Sequence, residues 1–218
     1  MNLDDLKNSS KTPLPGKDRS QDGENRIVNY IFKELNIIPK YAVEFGSGIV
    51  SKKGGTANIS WFHDEYKCEC LFFEANHKKI KCSQKHYRSQ IKIEVISASN
   101  VNKIFEKYEV SKNLDIVVID VDGQDYWIWE KLEYKPKVLL IEFNPQLPPK
   151  EDKVMHYDEK HWKWRNTNCG YYGASIGALK KLYVDLDIPV EELYDLYKGK
   201  AEEKGRNKCV NKQKWVMI

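Results

Sequence analysis

Three apolar runs in this 218-residue chain each lead into a carboxylate: Tyr41-Ala-Val-Glu44-Phe-Gly46-Ser47-Gly48, Leu71-Phe-Phe-Glu74-Ala75-Asn76, and Asp115-Ile-Val-Val-Ile-Asp120-Val-Asp122-Gly123. A carboxylate so placed can accept two hydrogen bonds from vicinal hydroxyls, offset an ammonium group, or take a proton as a general base. Gly46 and Gly48 allow the backbone to approach a ligand closely. Asp120, Asp122 and Asp125 crowd one short stretch. Such crowding is costly by like-charge repulsion unless a cation, hydrogen bonds or water offsets it. Three readings of this cluster stay open. One member is a general base; or Asp120, with Glu142 and Asn144 from the next apolar run, supplies hard oxygen ligands to a divalent cation; or Asp122 and Asp125 cap a helix that begins near Gln124.

The elements that must position these groups follow from periodicity. Ile27, Val28, Ile31, Phe32 and Leu35 recur at helical spacing and predict a helix from Glu24 to about Asn36. Strands are expected at Tyr41–Phe45, Glu69–Phe73, Ile91–Ile96, Leu114–Ile119 and Val138–Phe143. Helical segments between them are expected at Asn58–Tyr66, within His77–Gln90, at Val101–Tyr108 and at Gln124–Leu132. Strands alternating with helices imply an α/β, doubly wound, mainly parallel sheet of Rossmann-like type. In such a sheet the ligand crevice lies beyond the carboxyl ends of the strands, where all three acidic runs terminate. Further on, Gly173–Tyr183 and Val190–Lys200 read as amphipathic helices, and Lys214–Ile218 as a last strand. Residues 1–23, with Pro13, Pro15, Gly16 and Gly23, read as a flexible or loosely docked arm; residues 24–218 read as one domain.

Composition narrows the partners. Apolar content of 41% and aromatic content of 12% suit a globular core. The net charge of +4, spread over scattered lysines, is too mild to point to nucleic acid. No apolar run approaches the ~20 residues that span a bilayer, and the first residues lack the basic-then-apolar pattern of a signal peptide. Five cysteines, with Cys68-Glu-Cys70 lacking the two-residue gap of zinc pairs, read as free thiols in a reducing cytoplasm.

Two cofactor classes fit the acidic strand ends. A dinucleotide needs a Gly-x-Gly-x-x-Gly turn that aims a helix N-terminus at pyrophosphate. Here position 51 is Ser, and Glu44 sits where it would repel phosphate. A carboxylate there suits the amino group of S-adenosylmethionine, which is cationic and phosphate-free. The runs Val43–Gly48 and Leu71–Ala75, with Val117-Val-Ile-Asp120-Val-Asp122-Gly-Gln-Asp125-Tyr-Trp127, resemble the FkbM-type S-adenosylmethionine-dependent methyltransferases. Lys137–Asn144 and Gly173–Leu179 are similar to later segments of that family, so the likeness runs over residues 25–183. The last thirty-five residues depart from the pattern.

The resemblance implies a class I methyltransferase fold and methylation of a hydroxyl on a small-molecule, sugar or lipid-like acceptor. It implies that Glu44, Gly46, Ser47 and Gly48 form the first cofactor motif, that Glu74 with Ala75 binds the ribose, that Ser97 and Ala98 pass the adenine, and that Asp120 lies near the methionine moiety. From the residues alone, His156, His161, Trp162, Trp164, Arg165, Tyr171 and Tyr172 cluster after the fifth strand, where they can cover the crevice. Aromatic faces pack on sugar rings, and Arg165 can bind an acidic group. The rival reading of this cluster is an aromatic mini-core. A dinucleotide oxidoreductase and a catalytically inactive cofactor-binding module are the competing functions.

Overall fold

The computed structural model describes residue 14 and residues 18–20, 23–51, 55–159 and 173–186, together with the strands at 194–195 and 214–217. Its elements, in chain order, are α1 (Glu24–Glu34), β1 (Tyr41–Phe45), α2 (Ser60–Tyr66), β2 (Glu69–Phe73) and α3 (His77–Cys82). After a 3-10 turn at Lys85–Gln90 come β3 (Ile91–Lys92), α4 (Val101–Lys107), β4 (Ile116–Ile119), α5 (Asp125–Lys131) and β5 (Val138–Phe143). The last are α6 (Ile176–Asp185), β6 (Tyr194–Asp195) and β7 (Lys214–Met217). The sheet order is β3-β2-β1-β4-β5-β7-β6. Strands β1 to β5 are parallel, and β7 runs antiparallel to both β5 and β6. This is a Rossmann-like α/β sheet with helices on both faces.

Period-two alternation decides which face each strand residue serves. Val43, Phe45, Phe73, Val117, Ile119, Leu139 and Ile141 pack with α4, α5 and α6 on one face. Ala42, Phe72, Ile116, Val118, Val138 and Leu140 pack with α1 and α2 on the other. Phe45, Phe73 and Phe105 lie with ring centroids 5.5–6.4 Å apart, locking the carboxyl ends of β1 and β2 onto α4. Truncating such a ring to Ala costs about 3–5 kcal/mol.

Two expectations are corrected. Strand β3 is two residues long, because β2 ends at Phe73 and leaves Ile93 to Ile96 no ladder to join. Tyr194–Asp195, expected within a helix, is a strand on the outer edge of β7. Residues 18–20, in the segment expected to be a flexible or loosely docked arm, contact α2 and the turn after α3: the Arg19 guanidinium pairs with Asp64 at 2.5 Å and also donates to the Ser60 carbonyl and the Tyr87 hydroxyl. Among the described residues, no helix is long and apolar enough to cross a membrane. Cys68 and Cys70 are buried free thiols and Cys82 is an exposed one; Cys169 and Cys209 lie outside the described residues.

Candidate functional site

Strand order reverses at β1, with β2 and β3 on one side and β4 and β5 on the other. The crevice of an open α/β sheet lies at such a switch point. The loops that leave β1 and β4 meet there. Gly46 adopts φ 69, and a Cβ on it would fall 1.6 Å from the Asp120 carbonyl oxygen. Only glycine permits that approach. The Gly46 and Ser47 amides both donate to the Phe73 carbonyl, at 2.9 and 3.2 Å, so the loop is held between β2 and β4. Gly48 adopts φ 64, and a Cβ there would meet Thr56 Oγ1 at 2.1 Å.

Glu74, just past β2, is buried. Its Oε2 accepts from the Gly48 amide at 2.8 Å and its Oε1 from the Asn76 amide at 2.7 Å. Lys79 Nζ lies 3.6 Å away. A carboxylate has about four acceptor positions, so two such bonds leave capacity for ligand hydroxyls. Ala75 is exposed beside it.

Glu44 is 2% exposed. Its Oε1 accepts from the Asn58 amide at 2.9 Å and its Oε2 from the Ile59 amide at 3.0 Å, at the entry to α2. Burial outweighs these bonds and pushes its carboxyl up to about 8. Glu44 therefore anchors the loop between β1 and α2. Close by, the buried Ser47 Oγ and Asn58 Oδ1 have no hydrogen-bond partner.

The crowded aspartates divide. Asp125, the first residue of α5, is buried. Its Oδ1 accepts from the Val121 amide at 2.9 Å and its Oδ2 from the Gly123 amide at 2.8 Å. It ties the turn between β4 and α5, and burial raises its carboxyl to about 6. Asp120 and Asp122 are partly exposed, with Asp122 in the left-handed region at φ 61. Ile119 pairs with Ile141, which brings Asp120 level with Glu142 on the adjacent strand. Glu142 is 3% exposed, and neither of its oxygens receives an N–H or hydroxyl bond. The Asp120 carboxyl faces it. Burial first, and then repulsion from the neighbouring acids, pushes both carboxyls well above the usual range: Asp125 and Asp122 act on Asp120, and Asp120, Asp125 and Asp122 on Glu142. One oxygen each from Asp120, Asp122 and Glu142 lie within 4.8 Å of one another. Asn144, the expected third metal ligand, accepts from the Gln146 amide on its Oδ1 at 2.9 Å.

The segment after β5, expected from the sequence to cover the crevice, is described up to residue 159. It pairs with residues 173–175 through the Val154–Ala174 bridge. It then passes α5, where Trp127 Nε1 donates to the Met155 carbonyl at 2.8 Å and the Trp127 ring lies 6.1 Å from that of Tyr157. Tyr157 and Glu159 reach the hydroxyls of Ser97 and Ser99, which follow β3. Residues 155–159 thus join the β5 and β3 ends of the sheet beside the partly exposed Ser97 and Ala98. Spatial proximity alone reveals the contacts among Trp127, Tyr157 and Glu159. His156 is exposed on this segment; His161, Trp162, Trp164, Arg165, Tyr171 and Tyr172 lie outside the described residues.

No protein-family model matches the chain, and no curated protein does. Among solved structures it is similar to the Podospora anserina methyltransferase PaMTH1, crystallised with S-adenosylhomocysteine, at 16% identity and a TM-score of 0.47, over 99% of this chain and 86% of that one. It is also similar to a Pyrococcus horikoshii protein proposed to be an RNA methyltransferase, at 14% identity and a TM-score of 0.35, over 64% of this chain and 70% of that one.

Proposed function

We propose that the chain is an S-adenosylmethionine-dependent methyltransferase that acts on a hydroxyl of a small-molecule, sugar or lipid-like acceptor. The observation that carries this reading over a dinucleotide enzyme is the engagement of Glu44. A dinucleotide fold places pyrophosphate on the N–H groups that open the helix after β1. Here the Asn58 and Ile59 amides at that point already bond the Glu44 carboxyl. A phosphate would have to displace it. The antiparallel β7 between β5 and β6 also departs from the 3-2-1-4-5-6 order of the dinucleotide fold.

The residues present suit a cationic nucleoside. Glu74 keeps acceptor capacity for two ribose hydroxyls. The Gly46–Gly48 loop and the unpartnered Ser47 Oγ face the place for its amino-acid end, where Glu44 contributes by shaping the loop. Ser97 and Ala98 border the adenine. Bound there, the cofactor supplies an electrophilic methyl group. The protein's part is to hold the acceptor oxygen in line with that methyl, exclude water with Trp127 and Tyr157, and promote loss of the acceptor proton at Asp120 and Asp122.

Calorimetric titration with S-adenosylhomocysteine is expected to show one saturable site, and titration with NAD none. Glu74→Gln, checked for fold by circular dichroism, is expected to weaken that binding at least about tenfold, through lost charge-assisted bonds. Saturable NAD binding without S-adenosylhomocysteine binding would overturn the proposal.

A further inference from the structure

The methyl-transfer reading leaves one flank of the molecule unused, the edge formed by α3, the 3-10 turn and β3. From Ala75 to Ile93 the chain carries six cations, Lys78, Lys79, Lys81, Lys85, Arg88 and Lys92, and no acid. The whole chain carries only +4, so elsewhere acids outnumber bases. Ile80 and Tyr87 pack this run onto the core that holds Phe72 and Ile91. Lys78, Lys81, Lys85 and Arg88 are left exposed. Among the described residues, Lys79 alone of the six reaches a carboxylate, that of Glu74 at 3.6 Å. Arg88 donates to the Ser83 and Lys81 carbonyls, which leaves its charge without a counterion.

Exposed aliphatic side chains adjoin these cations. Ile93 is 49% exposed and Val95 46%. Alternation continues past the end of β3. Lys92 lies over the Tyr108 ring at 5.7 Å, and Glu94 accepts from the Tyr108 hydroxyl at 2.7 Å, so both point to the α4 side. Ile93 and Val95 are therefore in phase with Ile91, on the sheet face that carries Ile80 and Tyr87. We infer that this flank docks the chain on an anionic bilayer, with the cations on headgroup phosphates and Ile93 and Val95 in the shallow apolar layer beneath them. Clusters of about four to eight Lys and Arg are drawn to an anionic leaflet. Interfacial binding strengthens with the apolar area buried beside such charge. The aliphatic pair decides between polyanions. Nucleic-acid phosphates attract the same cations but give Ile93 and Val95 nothing to enter. A single-strand surface instead uses exposed rings for stacking, and the only Phe, Tyr or Trp of the run, Tyr87, is fully buried. The run starts beside Glu74 and leads to Ser97, so docking sets the rim of the crevice near the headgroups. The surface rests on charge and exposure and not on the cofactor assignment.

The test uses the full-length chain in sedimentation with vesicles. Binding is expected to vesicles of equal parts phosphatidylcholine and phosphatidylglycerol, and not to phosphatidylcholine alone. The combined variant Lys78→Glu, Lys81→Glu and Lys85→Glu, at exposed positions, is expected to bind at least tenfold more weakly with an unchanged circular dichroism spectrum. Ile93→Ser with Val95→Ser is expected to weaken binding severalfold and to leave the remainder more sensitive to salt. No binding to the anionic vesicles, or binding unaltered in either folded variant, would overturn the surface. So would a single-stranded RNA homopolymer that binds the wild type more tightly than the vesicles do and binds the aliphatic variant equally well. S-Adenosylhomocysteine affinity, measured on the same samples, reports separately on the methyltransferase reading.

Discussion

Glu44 shows how one side chain can look like a ligand group and serve as a frame. It stands at the end of β1, where a cofactor contact is expected, yet its two oxygens hold the amides of Asn58 and Ile59. Its burial carries a signature in stability. The carboxyl titrates at about 8 in the folded chain against an ordinary 4.5. Between those values the native state binds more protons than the unfolded state, so this group's contribution to stability falls as pH rises from about 4.5 through about 8. The slope is at most about 1.4 kcal/mol per pH unit. Denaturant titrations of wild type and Glu44→Gln between pH 5 and 9 check this. The wild-type value is expected to fall relative to the variant up to about pH 8 and then level off. Parallel curves would show that Glu44 is ionised throughout.

At the scale of elements, the turn from β4 into α5 decides the geometry of the acidic cluster. Asp125 receives the Val121 and Gly123 amides on its two oxygens, which lets Asp122 take a left-handed conformation and face Asp120. An Asn at 125 can accept only one of those bonds and turns an NH₂ toward the other donor. Asp125→Asn is therefore expected to destabilise the fold by about 1–3 kcal/mol, measured by thermal denaturation. A folded Asp122→Asn variant, at a partly exposed position, is expected to keep its stability within about 0.5 kcal/mol. Equal losses in the two variants would mean that the turn depends on both aspartates.

Across the whole molecule, a long-range tether joins the N-terminal segment to the helix that frames the site. Arg19, Asp64 and Tyr87 share a network in which Tyr87 donates to Asp64 at 2.6 Å, and both partners of the Arg19–Asp64 pair are about one-tenth exposed. Removing one partner of a buried pair leaves an uncompensated charge. Arg19→Met is expected to cost about 3 kcal/mol, a drop in Tm of about 6–12 °C for a chain of this size. Combining it with Asp64→Asn is expected to recover most of the loss. A drop of under 1 °C in the single variant would place the arm outside the folded unit.

The alternation of apolar strands with helical patterns was legible because burial on a two-sided sheet imposes runs such as Ile116–Ile119 and Val138–Phe143, and parallel order follows from the helices between them. The carboxyl-end location of Glu74 and Asp120 was legible for the same reason, since loops that leave such strands line the crevice. The local pattern around residues 194–195 could not disclose a strand, because edge pairing depends on a distant partner, β7. Nor could the sequence separate the acids by role. Glu44 and Asp125 are bound to backbone amides, whereas Glu142 is left facing Asp120, and the difference lies in register and turn conformation. Residue types set what chemistry was available. Only tertiary placement decided which carboxyls support the fold and which meet in the crevice, because hydrogen-bond satisfaction and burial are properties of neighbours in space.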